Sequence, residues 1–215
     1  MVAEYQATIE KSFKNIKLAS LLIIIELVLT VVFTVFLVYF IESIVSTAIS
    51  KNIGAGMIEP YILNSLRSDI SIIIVSTAIY MGMVGISIYS VYLYSRSVLL
   101  LSEYNQNLKK PAKYSKYLYL IILTVDILEF VFIILELYSM ISMPFYLIYT
   151  VYIILAIAIL LFVLYLYIGI YRIGVIYNNS SIRLGAIFYF IPLVDLLAPF
   201  LLYSGAKQLL VTYKK

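Results

Sequence analysis

Five long apolar runs, at 18–41, 71–94, 118–137, 145–168 and 184–204, constrain this chain more than any other feature. A helix needs about 20 mostly apolar residues to cross the hydrocarbon core of a bilayer. Inside that core every backbone N–H and C=O must be bonded within the protein, so only helices and closed barrels span it. The runs are continuously apolar rather than alternating, which reads as helix and not as barrel strand. The expected fold is all-α: one domain over residues 1–215, a polytopic transmembrane helical bundle of about five spans. The first run is too long for a signal-peptide core and no small-residue cleavage site follows it. It is therefore read as a retained helix with no cleaved leader.

Composition points the same way. The chain is 64% hydrophobic and 12% charged, against about 25% charged in an average soluble domain. So few polar side chains cannot cover a body surrounded by water. There is no Cys, His or Trp. That removes disulfides, thiolate and imidazole metal ligands and Cys- or His-based catalysis. A Ser/His/Asp triad is impossible, and neither GxxxxGK[ST] nor GxGxxG occurs. No catalytic residue, metal or cofactor is expected, and the chain is not read as an enzyme. Lack of Cys together with abundant Ile and 22 Tyr is the composition expected of a thermophilic archaeal source.

Lys and Arg set the orientation. Lys11, Lys14 and Lys17 precede the first run; Arg96, Lys109, Lys110, Lys113 and Lys116 separate the second from the third; Arg172 and Arg183 separate the fourth from the fifth. The opposite loops carry Lys51 and Arg67, beside Glu42, Glu59 and Asp69. Ten basic residues against two place the N-terminus in the cytoplasm of a multi-pass cell-membrane protein. The net charge of +4 is then a topology signal and not a nucleic-acid footprint. The tail, with Lys207, Lys214 and Lys215, breaks the rule if 184–204 crosses fully and obeys it if that run dips in and returns. Its length favours the full crossing. Residues 1–17 read as an amphipathic cytoplasmic lead-in, with Ile9, Phe13 and Ile16 opposite the three lysines. The basic stretch NLKKPAKYSK is broken by Pro111 and suits anionic headgroups.

Within this apolar background the stretch DILEFVFIILE carries three carboxylates. At about 100° per residue, Asp126, Glu129 and Glu136 share one helix face within roughly 80°. Counted at about 1.5 Å per residue, Asp126 and Glu129 fall near mid-bilayer, with Glu26 of the first run and Asp195 of the fifth at similar depth. An ionised Asp there costs about 2.5–3.5 kcal/mol, so such groups are protonated, paired or solvated in a cavity. They serve either as interhelical hydrogen-bond partners or as a proton or cation relay opening through Glu136. In the fifth run Pro192 and Pro199 flank Asp195 and are expected to kink that helix.

Ala78, Gly82 and Gly85 form a small-residue face that admits a close neighbouring helix. Tyr117, Tyr138, Tyr146, Tyr149 and Tyr203 lie near run ends, as an interfacial aromatic belt does. Asn178 and Asn179 begin overlapping glycosylation sequons, which face the cytoplasm on this topology.

IEKSFKNIKLASLLIIIELV near the start, and YRIGVIYNNSSIRLGAIFYFIPLVDLLAPFLLYSGAKQL near the end, are similar to the archaeal integral-membrane family known as domain of unknown function 973. The resemblance implies an archaeal polytopic membrane protein and carries no site residues. The expected role is a non-catalytic accessory or structural subunit of a larger membrane assembly, in contact with membrane lipids and with other subunits or copies of itself. The alternative is a small proton- or cation-coupled transporter using the buried carboxylates.

Overall fold

A computed structural model of the chain describes residues 2–51, 53–57, 60–61, 65, 70–137 and 145–213. Among these, all regular structure is helical. The α-helices are α1 (Val2–Ser50), α2 (Ile70–Ser102), α3 (Lys109–Ser115), α4 (Leu118–Leu137), α5 (Phe145–Ile176), α6 (Ser180–Phe188) and α7 (Ala198–Tyr213). Short 3₁₀ turns lie at Ala55–Met57, Gln106–Leu108 and Asp195–Leu197.

The length of α1 follows from its sequence. No Gly or Pro occurs before Gly54, so nothing interrupts the hydrogen-bond ladder, and 49 residues extend for about 74 Å. Among the described residues, three helical stretches are long and apolar enough to cross a membrane: Glu4–Ser50, Ile74–Ser102 and Ile153–Ile176. The run 118–137 forms a helix with the bounds read from the sequence.

Backbone packing groups the chain into two compact units, Met1–Ile24 with Ile86–Lys215, and Ile25–Gly85. In the first, Phe13, Ile16, Tyr94, Val98, Ile170 and Ile182 are fully buried in a common core. The apolar face of the N-terminal segment is thus spent on protein, with Ile9, Phe13 and Ile16 all inside. Serines bring α1 and α2 together: Ser12 and Ser97 each donate to the other's carbonyl, at 3.2 and 3.0 Å. Further along, the Ser20 and Tyr94 hydroxyls meet at 2.9 Å. A small hydroxyl allows close helix approach and supplies an interhelical bond where water is scarce.

The basic segment around Pro111 is itself helical. Pro111 sits in the first turn of α3, where its missing N–H costs nothing, and it is buried. The Arg172 guanidinium donates to the Asn107 carbonyl and ties the preceding 3₁₀ turn to α5. At Gly169, a Cβ would lie 2.8 Å from Val98 and 3.1 Å from Pro111, so glycine is what lets these elements approach.

In the second unit the later part of α1 and the first turns of α2 carry apolar residues that little else among the described residues covers. Val28, Val31, Val32, Val35 and Val38 are each about three-fifths exposed. Among the described residues, no atom beyond the helix's own backbone and the chain neighbours comes within 4 Å of where a Cβ on Gly82 or Gly85 would stand.

The run 184–204 is not one helix. Helix α6 ends at Phe188, a turn occupies 189–194, and α7 starts at Ala198. The expected full crossing is therefore corrected to an antiparallel hairpin. Neither proline kinks a helix: Pro192 lies in the turn, and Pro199 is buried in the first turn of α7, where its ring is tolerated. Leu193 turns the corner with φ 69°, a left-handed value that non-glycine residues seldom adopt.

Candidate functional site

The hairpin is locked at its base by residues of YNNSS. Helix α5 stops because Asn178 takes φ 48°, while the N–H of Asn179 bonds the Gly174 carbonyl at 2.8 Å and that of Asn178 bonds Val175 at 3.2 Å. This pair of bonds is the Schellman ending, with asparagine in the left-handed position that glycine usually fills. The next residue starts the next helix: Asn179 Oδ1 accepts from the Ile182 N–H at 2.9 Å and caps α6. Its Nδ2 donates across the hairpin to the Gly205 carbonyl and to Gln208 Oε1, both at 3.3 Å.

Three glycines let the backbones close. A Cβ on Gly174 would stand 2.8 Å from the Arg183 N, one on Gly185 2.8 Å from Leu202, and one on Gly205 2.6 Å from Asn179 Oδ1. The glycines and prolines that carry the family resemblance near the C-terminus are thus packing and turn residues of the hairpin and of the end of α5 that precedes it.

Aromatic rings join this hairpin to the N-terminal segment. Phe13 meets Tyr177 edge-on at 5.0 Å and Tyr213 at 5.9 Å, and the two tyrosines meet at 5.6 Å. Such edge contacts contribute about 0.5–1.5 kcal/mol beyond area burial. Burial, reinforced by a hydrogen bond with Tyr5, pushes the Tyr177 pKa well above the ordinary tyrosine value. Gln6 donates to the Tyr213 carbonyl at 3.2 Å, so the last helix ends beside the first turns of α1. Tyr94, Tyr167 and Tyr189 form a second group, the last two stacked at 4.1 Å.

Lysines of both segments share this end. Lys14 pairs with Glu10 at 2.8 Å, and Lys17 lies 5.5 Å over the Tyr203 ring. Lys207 lines the same groove as Lys14 and Lys17.

The five carboxylates fare differently. Asp195 is exposed, opens the 3₁₀ turn at the hairpin tip and accepts from the Leu196 N–H at 2.9 Å. It stands in a turn between two helices, which corrects the expected position in the middle of one. Asp126 is half-buried on α4, and Glu26 is half-buried on α1 within the second unit. Glu129 and Glu136 fall on α4, but their side chains lie outside the described residues, as do those of Tyr138, Tyr146 and Tyr149. Among the described residues no group of three or more acidic side chains could hold a metal ion.

Sequence reading took the two asparagines for sequons and passed over the serines. The signal was present in the first case, because Asn suits both the left-handed helix ending and the N-cap. For Ser12, Ser20 and Ser97 no local pattern marks which serines find a partner across helices.

Among the described residues these features define an all-helical protein with three helices apolar and long enough for a bilayer and a tightly closed terminal hairpin. It belongs to the family described as "Protein of unknown function (DUF973)", which residues 10–215 match. No curated protein and no solved structure matches the chain.

Proposed function

We propose that this is a non-catalytic, multi-pass cell-membrane protein acting as an accessory or structural subunit of a larger membrane assembly. One observation carries the reading: in the most apolar 18-residue window of Glu4–Ser50 nothing is buried within the chain. Lipid can cover the valines of that segment, since tails are as apolar as the side chains. The bare small-residue face of Ala78, Gly82 and Gly85 is different, because small residues favour association when another helix packs closely on them. A partner helix, from another subunit or a second copy, fits that face.

The topology that agrees best with charge has α1, α2, α4 and α5 crossing and the hairpin returning, which leaves both termini in the cytoplasm. Thirteen of the fifteen basic residues then lie on the cytoplasmic side, leaving Lys51 and Arg67 outside. The test is extraction from native membrane in mild detergent and identification of co-purifying proteins by mass spectrometry. Reproducible membrane subunits, or a defined homo-oligomer, support the proposal; a bare monomer counts against it.

The second reading, a small proton- or cation-coupled transporter, rests on Asp126, half-buried in a highly apolar helix. It expects Asp126→Asn or Glu129→Gln to abolish flux in liposomes while the fold stays intact. Unchanged flux in both variants removes it.

A further inference from the structure

The groove between the first part of α1 and α7 combines two chemistries that are seldom adjacent. Its volume is about 560 Å³, within the range of about 300–1,000 Å³ that ligand sites occupy. Lys14, Lys17 and Lys207 border it, while Leu18, Leu21 and Val211 supply apolar walls that stay substantially exposed. One cation is already committed, since Lys14 pairs with Glu10. Among the described residues neither Lys17 nor Lys207 has a carboxylate within ion-pair distance. Lys17 is held in place over the Tyr203 ring.

We propose that this groove binds one anionic phospholipid, its phosphate between Lys17 and Lys207 and an acyl chain along Leu18 and Leu21. The apolar walls argue for a lipid over a free phosphate, which gains nothing from them. Leu18 and Leu21 are both exposed and stand three residues apart, so the helix places them in one stripe beside the lysines. The groove bridges the N-terminal segment and the terminal hairpin, so a bound lipid also fastens those two elements to each other. The inference rests on the membrane-embedded part of the proposed function and goes beyond it.

Native mass spectrometry of the full chain in dodecyl maltoside micelles tests it. Phosphatidylglycerol and phosphatidylcholine of identical acyl chains are titrated separately, and sn-glycerol 3-phosphate is added as competitor. The wild type is expected to bind a first phosphatidylglycerol in preference to phosphatidylcholine. Lys17→Gln and Lys207→Gln should each reduce that preference about fivefold, and together about 25-fold, as expected for about 1 kcal/mol per lysine. Lys51→Gln, just past the end of α1 and outside the groove, should leave it unchanged. No preference in the wild type overturns the proposal whatever the variants do, as does an undiminished preference in the double variant. Displacement by millimolar glycerol phosphate overturns the lipid assignment in favour of a free anion. Retention of the protein in carbonate-washed membranes is measured in parallel; its loss would sink the membrane reading separately.

Discussion

Asn179 spans the C-terminal hairpin to Gly205: its Nδ2 donates to the Gly205 carbonyl at 3.3 Å while its Oδ1 caps α6 through Ile182 at 2.9 Å. One buried side chain therefore satisfies groups on two helices. Asn179→Ala removes the cap, which costs about 1 kcal/mol, and leaves partners of the buried amide unbonded, at about 1–3 kcal/mol more. Asn179→Asp keeps the acceptor and loses the donor, so it should fall between. Thermal unfolding of the detergent-solubilised protein, followed by circular dichroism, checks the order; equal melting of all three chains refutes the lock.

Gly205 and Gly82 should respond in opposite ways to the same substitution. A Cβ on Gly205 would lie 2.6 Å from Asn179 Oδ1 and 3.0 Å from the Ile182 backbone N, so Gly205→Ala must push the hairpin apart. Gly82 has open space around it, so Gly82→Ala in the isolated chain gains helix propensity of about 1 kcal/mol. If Gly82→Ala lowers the molecular mass measured by light scattering, the small-residue face is in use by a neighbour.

The hairpin makes a topological prediction that the absence of Cys renders simple to check. Lys14→Cys and Lys207→Cys, introduced singly, should react with a membrane-impermeant maleimide from the same side of sealed vesicles. Lys51→Cys, at the far end of α1, should react from the other side. Labelling of positions 14 and 207 from opposite sides would restore the full crossing.

Tyr94→Phe deletes the hydroxyl that meets Ser20 at 2.9 Å and keeps the ring. The expected loss is about 0.5–1.5 kcal/mol, the usual net value of a hydrogen bond. Ser20→Ala should cost a similar amount, and the double variant less than the sum. Additive losses would mean that the two hydroxyls do not act as a pair.

Alkaline pH should weaken the aromatic junction. Tyr177 keeps its proton in the folded chain to a higher pH than in the unfolded one, because burial disfavours the phenolate. Below about pH 10 both states are protonated and this residue adds no pH dependence. Above that, the unfolded state loses the proton first, so stability falls as pH rises. Melting temperatures measured between pH 8 and 11 should decline above 10, and Tyr177→Phe should flatten the decline.

Much of the architecture is legible in one pass along the chain. The bounds of α4 were readable to the residue, and α1 runs on past the apolar stretch 18–41 at both ends because no Gly or Pro stops it. Asp195 was assigned to the middle of a helix for a definable reason: an unbroken apolar run was read as one helix, and that helix does not continue.

Composition and period by themselves determined that the chain is helical and suited to lipid, because a backbone deprived of water has few other ways to bond itself. They could not determine whether 184–204 crosses the membrane or folds back. An apolar window of that length is compatible with one long helix or two short ones, since each buries similar residues. What decided it was contact between positions far apart in sequence: Gly205 admitting Ile182 and Asn179, Leu202 filling the space beside Gly185, and Asn179 bonding across. Such close fits exist only between surfaces, and a surface forms once the tertiary structure has brought its parts together.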